Sequence, residues 1–209
     1  MAIALGHASM PAPLRDTVHV MSFSASDGRV LGVVAAAAGG VEQLRTGLVE
    51  PAIEAGWRVA VTLTPTAARW LDHYGERARL ERLTGLPVRS EPRLPTEPKP
   101  HPPADCYVVA PASANTVAKL ALGLADNQAL THACEAVGLG VPMVVFPRMS
   151  TAYVGHPAWA GHLAALRRVG VEVIYGEDVW PLYPPGEEPD RPLPWDLILA
   201  AADRLAPGG

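Results

Sequence analysis

Residues 111–116 read Pro-Ala-Ser-Ala-Asn-Thr and follow directly on the apolar run Cys106-Tyr107-Val108-Val109-Ala110. Small side chains, two hydroxyls and an amide at the end of a buried strand suit a loop that lets a ligand come close to the backbone and offers it hydrogen bonds. Two further places share this character. Gly39-Gly40 closes an apolar run and opens a helical pattern, where free backbone N–H groups attract an anion such as phosphate. Thr64-Pro65-Thr66 supplies hydroxyls at another helix start. Each feature also has a plain structural reading. The glycines suit a tight turn, Thr64, Ser113 and Thr116 suit helix caps, Asn115 suits a turn, and Asp126-Asn127 suits the cap of the next helix. Three small-polar loops together point to a phosphorylated cofactor.

The elements that position these loops alternate regularly. Apolar runs at 29–36, 58–63, 107–110, 141–146 and 171–174 read as strands. Helical spacing follows at 41–56 (Val41, Leu44, Leu48, Ala52, Ile53), from Pro65 (Ala67, Trp70, Leu71), at 117–123, 127–137, 156–169 (Trp159, Leu163, Leu166) and 195–205. Between Pro87 and Pro103, seven of seventeen residues are proline, too many for a helix or a central strand, so this stretch is a loop. Strands apolar on both faces and alternating with helices predict a doubly wound parallel α/β sheet in a single domain at 29–209. Residues 1–28 are mixed and weakly patterned, and read as an N-terminal extension with partial disorder. In such folds ligands sit beyond the carboxyl ends of the strands, where all three loops belong.

Composition sets the outer bounds. A chain of 209 residues, 49% apolar and with formal charge −4, is long enough for one sizeable soluble domain and unsuited to general nucleic-acid affinity. Cys106 and Cys134 lie in apolar segments without zinc spacing, so they read as buried reduced thiols of a cytoplasmic protein, with no metal site. No apolar run reaches the ~18 residues of a membrane span.

The stretch from Pro111 to Asn127, PASANTVAKLALGLADN, resembles the PASANT-x-x-K-x-A-x-G-x-x-D-N block of the homo-oligomeric flavin-containing cysteine decarboxylases. The resemblance extends from about Val30 to Ile174. It implies a Rossmann-like flavoprotein fold with non-covalent FMN. Gly39, Gly40 and Val41 correspond to the stretch at the FMN phosphate, Thr64 and Thr66 to the second loop, and Ser113, Ala114, Asn115 and Thr116 to the turn against the flavin. It also implies self-association as a trimer or dodecamer with FMN at the subunit boundary.

The catalytic positions depart from the family. Its histidine lies fourteen residues before the proline of PASANT, where this chain has Glu97; His101 is four residues late. A proline-rich segment has no helical register to absorb that shift, so His101 is read as an exposed loop histidine before a relocated catalyst; the catalytic residues stay unassigned, with His101 and Arg148 as the candidates. The family's P-x-M-N-x-x-M-W is matched by Pro147-Arg148-Met149-Ser150-Thr151-Ala152-Tyr153-Val154, with Met149 kept and Ser150 where the substrate-holding asparagine belongs. Arg148 is a candidate to restore an anion contact to the substrate, and Arg93 a second, each weighed against a solvated surface arginine. Residues 180–188, where the family has a clamp over its substrate, carry no cysteine. The expectation is an FMN-dependent enzyme of secondary metabolism that oxidatively decarboxylates, or otherwise oxidises, a small molecule or peptide other than phosphopantothenoylcysteine. The alternative is a non-catalytic FMN-binding or regulatory protein; a flavin prenyltransferase is disfavoured by PASANT.

Overall fold

The computed structural model describes residues 28–187, 189 and 191–207. Apart from Gly28, the expected N-terminal extension lies outside the described residues. Five parallel strands, β1 (Val30–Ala35), β2 (Arg58–Leu63), β3 (Cys106–Ala112), β4 (Met143–Pro147) and β5 (Glu172–Val173), form one sheet in the order β2-β1-β3-β4-β5. The chain winds from β1 outward to β2, then returns across β1 to β3, so the direction of winding reverses between β1 and β3.

Both faces of the sheet are covered, as the unbroken apolar runs require. Val33, Val108 and Val144 belong to one buried cluster, and their chain neighbours Val34, Val109 and Val145 to the other. The first face packs against a composite helix, α2, α3 and α8. The composite begins as a 3-10 turn (Val41–Gln43), continues as a π turn (Arg45–Val49) and ends as α1 (Glu50–Glu54). α2 is Pro65–His73, α3 is Glu76–Thr84 and α8 is Trp195–Leu205. The second face carries α4 (Ala114–Leu122), α5 (Gln128–Gly138) and α7 (Trp159–Arg168). Gly47 explains how α8 docks: a Cβ there would lie 2.2 Å from the Trp195 ring, so only glycine lets the indole reach the composite helix.

Several boundaries differ from the sequence reading for local reasons. α3 was not legible as a helix because its nine residues are mostly charged, with Leu80 the one fully buried apolar side chain. The expected 156–169 helix starts only at Trp159, after a turn at Pro157, and a four-residue helix α6 (Thr151–Val154) precedes it. The last strand shortens to two residues at the sheet edge. The proline-rich segment is a loop as expected, with one parallel bridge from Arg89 to Thr62 that covers the β2 edge.

Candidate functional site

Four loops leave the carboxyl edge of the sheet side by side, and backbone hydrogen bonds lace them together. Thr64 N donates to Ala35 O at 3.0 Å, Ala36 N to Pro111 O at 2.9 Å, and Arg148 N to Ala112 O at 2.8 Å. The glycine pair, the Thr64 loop, PASANT and the Arg148-Met149-Ser150 segment are thereby held in one row across the point where winding reverses, the place where doubly wound folds bind ligands.

The small-polar residues act as caps there. Thr64 Oγ1 accepts from Ala67 N at the start of α2. Ser113 Oγ accepts from Thr116 N at 3.3 Å and pairs with Thr116 Oγ1 at 3.0 Å at the start of α4. Asn127 caps α5 through Leu130 N at 3.1 Å, while Asp126 pairs with Lys119. The capping roles leave Thr66 and Asn115 exposed, with Ala114 buried beneath them. Gly40 adopts the left-handed conformation at φ 90°, which turns the chain into buried Val41.

Gly39 and Gly40 border a cleft of about 640 Å³, together with Arg69, Trp70, Arg148 and Arg191. Arg148 is buried, and its guanidinium lies 4.5 Å from the Trp180 ring centroid and 4.1 Å from that of Tyr183. A Cβ on Gly39 would stand 3.0 Å from Arg148 Nη2, so the bare glycine leaves backbone and guanidinium facing one space. Thr64, Thr66 and residues 113–116 are absent from the cleft wall. The structure thus brings the glycine pair and Arg148 together, and sets Thr64, Thr66 and residues 113–116 beside them rather than in the same recess.

Arg148 and Met149 part company at the end of β4. Met149 is buried among α4 and α7 residues on the second face, whereas Arg148 meets Trp180 of the first-face core. Ser150 is half-buried just ahead of α6. Alternation along the strand end sends the Arg148 side chain to the glycine side, away from Met149. Trp180, in the expected clamp segment, is a packed core residue, edge-on to Phe146 at 6.2 Å and donating to Pro192 O.

Glu97 holds an exposed turn: its carboxylate accepts from Leu94 N at 2.9 Å, and its carbonyl accepts from Arg93 at 2.7 Å. Arg93 is thus a loop brace. His101 is not the exposed loop residue expected. It is half-buried, and Nε2 donates to Pro87 O at 2.7 Å, because a carbonyl can only accept. Its ring lies 6.2 Å from His132, which the sequence reading missed and which binds Thr62 and Gln128. Burial lowers the pKa of both imidazoles. The two histidines line a second cleft under the proline-rich loop. Cys106 is buried and its thiol is pushed up to about 12 by burial; Cys134 is only half-buried, because it lies toward the outer side of α5. No cluster of three or more metal-ligating side chains occurs among the described residues.

The Flavoprotein family model matches residues 24–199. The chain belongs to the Flavoprotein family. Within the Flavoprotein family it is 33% identical over 151 residues to the coenzyme A biosynthesis bifunctional protein CoaBC of Mycobacterium bovis, covering 68% of this chain and 34% of that protein. The chain spans between 19% and 39% of the length of the curated relatives it matches. Among solved structures of the same fold, the FMN-dependent cysteine decarboxylase TvaF from thioviridamide biosynthesis is 25% identical, with TM-score 0.58 over 84% of this chain and 96% of that one. The cypemycin decarboxylase CypD is 21% identical, with TM-score 0.63 over 86% and 94%. The resemblance carried by residues 111–127, the family model and the fold of these structures agree.

Proposed function

We propose that this flavoprotein binds FMN non-covalently and catalyses an oxidative decarboxylation, or a related flavin-dependent oxidation, of a small molecule or peptide. The observation that carries the reading is the row of four loops laced across the winding reversal, with the glycine pair and a buried arginine bordering one cleft. The cleft volume falls in the ~300–1,000 Å³ range of small-molecule and cofactor sites. Bound there, FMN would supply a hydride acceptor.

The chain's own residues bind and orient. Gly39 and Gly40 let the backbone approach the phosphate, and Val41 behind them is fully buried and fixes the turn. Beside the cleft, exposed Thr66 and Asn115 and half-buried Ser113 offer polar groups to the ribityl and ring edges, while buried Thr64 and Thr116 hold the α2 and α4 helix starts behind them. Met149 closes the apolar side, and Ser150 is the group nearest in the chain to where the family holds a substrate carboxylate. A serine has one donor where asparagine has two, so the substrate is held differently from phosphopantothenoylcysteine. The exposed surfaces of Asn115 and Thr66 fit a flavin completed by a neighbouring subunit in a trimer or dodecamer.

A second reading, FMN binding without catalysis, is favoured by one observation: Glu97, at the family's histidine position, is committed to a loop turn. Titration of purified protein with FMN, followed by flavin bleaching near 450 nm with thiol-bearing peptide and small-molecule substrates, tests both. Uptake with bleaching supports the enzyme, uptake without bleaching for any substrate supports the binding protein, and no uptake overturns both.

A further inference from the structure

We propose that the cleft under the proline-rich loop is a second binding site, which takes an organic acid with an apolar body and holds its carboxylate at Arg89, beside His101 and His132. The site stands apart from the FMN reading, because this cleft shares no lining residue with the one at the glycine pair.

The cleft has a polar and an apolar end because of how it runs across the sheet. Arg89 forms the bridge to Thr62 near the end of β2, Thr62 Oγ1 lies 3.2 Å from His132 Nδ1, and the His101 ring is 6.2 Å from that of His132. These groups sit together toward the carboxyl edge of the strands. Ala104 and Tyr107 lie at the start of β3, and Leu139 and Val141 just ahead of β4, so the amino edge supplies an apolar floor. A Cβ on Gly32 would stand 2.4 Å from the Tyr107 ring, so the bare glycine lets that ring lie across β1 as part of the floor. The volume is about 700 Å³. An apolar body of that size with a few convergent polar groups is the make-up of a small-molecule site.

The charges select the head group. The lining holds three cations, Arg89, Arg93 and Lys99, against one carboxylate, Glu135. Arg93 braces the loop and Lys99 is exposed, whereas the charge of Arg89 reaches both histidines, with one end of its guanidinium held by Glu91 O at 2.8 Å. Burial lowers the pKa of both imidazoles and Arg89 lowers both further, while the Pro87 carbonyl raises that of His101 and Glu135 that of His132. An anion beside Arg89 reverses the balance. His101 donates through Nε2 to Pro87 O, so its lone pair is on Nδ1, and a carboxylate nearby favours a proton on that nitrogen. Binding therefore takes up a proton, and it tightens as pH falls through the window between the lowered value of the free ring and the higher value of the ring beside the anion. A neutral head group gains neither effect.

The test is isothermal titration calorimetry of the purified chain with octanoate, octanol and acetate, with and without excess FMN, and with circular dichroism to verify that variants fold. Octanoate is expected to bind at least about tenfold more tightly than octanol, which lacks the charge, and than acetate, which lacks the apolar body. Raising one imidazole pKa by about one unit makes binding about three- to tenfold tighter at pH 6 than at pH 8. Arg89→Gln should weaken octanoate about tenfold or more and leave octanol unchanged. His101→Asn, which keeps a donor for Pro87 O, should flatten the pH dependence. Octanoate that does not bind, that binds no better than octanol or acetate, or that FMN displaces overturns the proposal, and so does wild-type octanoate affinity in a folded Arg89→Gln. If Arg89→Gln does not fold, an unchanged pH dependence in a folded His101→Asn overturns it instead.

Discussion

The amide of Ala36 donates to the carbonyl of Pro111 at 2.9 Å, which joins the glycine loop after β1 to the PASANT loop after β3. This one bond spans the gap at which the sheet's winding reverses. It holds the proposed phosphate loop and the proposed flavin turn at a fixed separation, so damage to either loop should be felt as loss of cofactor.

Gly40→Asp is expected to abolish FMN uptake. A Cβ there would meet Leu193 Cδ1 at 2.6 Å, in a left-handed backbone where a side chain costs about 1 kcal/mol, and the added carboxylate would repel phosphate. Absorbance of the purified variant checks it, with thermal melting in parallel. A folded variant that is as yellow as wild type overturns the assignment of this loop.

Ser113→Ala should cost about 1 kcal/mol of stability through loss of the α4 cap. If Ser113 also contacts the flavin, the loss measured by urea unfolding will be larger with FMN present than without it. Identical losses in the two conditions would leave Ser113 a cap and nothing more.

Assembly is the third expectation. Trp70, Tyr74, Leu122, Leu139 and Tyr153 are large apolar side chains left exposed on the single chain, and Asn115 and Thr66 beside the loops are open as well. A trimer or a multiple of it should appear in multi-angle light scattering. A monomer with FMN fully bound would contradict this and require a complete site within one chain.

Turnover of phosphopantothenoylcysteine is expected to be negligible. The motif register proposed from the sequence puts Glu97, tied to Leu94, at the family's histidine position and Ser150 at its carboxylate-holding asparagine, and residues 174–193 contain no cysteine. Loss of one positioned acid–base group commonly costs 10²–10⁴ in rate. Mass spectrometry for loss of CO2 checks it, and rapid turnover would show that other residues supply these functions.

Stability should fall on mild acidification. Burial lowers the pKa of His101 and His132, so both are neutral in the fold while the unfolded chain titrates near about 6.5. Protons therefore favour the unfolded chain. Stability is intact above about pH 6.5 and declines as pH drops from there through the lowered folded values. Of the charged groups facing His132, Arg89 lowers its pKa and Glu135 raises it. Urea midpoints at pH 7.5 and 5.5 should differ for wild type and differ less for His132→Gln; equal shifts in the two would remove the histidine pair as the cause.

The succession of strands, the helices other than α3 and α6, the helix starts at Pro65 and Trp195, and the three small-polar loops were legible in the sequence. They depend on apolar periodicity and on cap and turn chemistry, which act over a few residues. The PASANT block likewise carried the family, because its residue types are fixed by a local turn. What the sequence could not determine are contacts between distant segments. Nothing in the run Pro147-Arg148-Met149 says that the guanidinium is bound for Gly39 and the rings of Trp180 and Tyr183, more than thirty residues away in the chain. Nothing in a proline-rich loop announces that His101 will settle beside His132 on α5. Side-chain direction at a strand end and the partner of a buried polar group are set by how layers pack, and only the tertiary structure decides them.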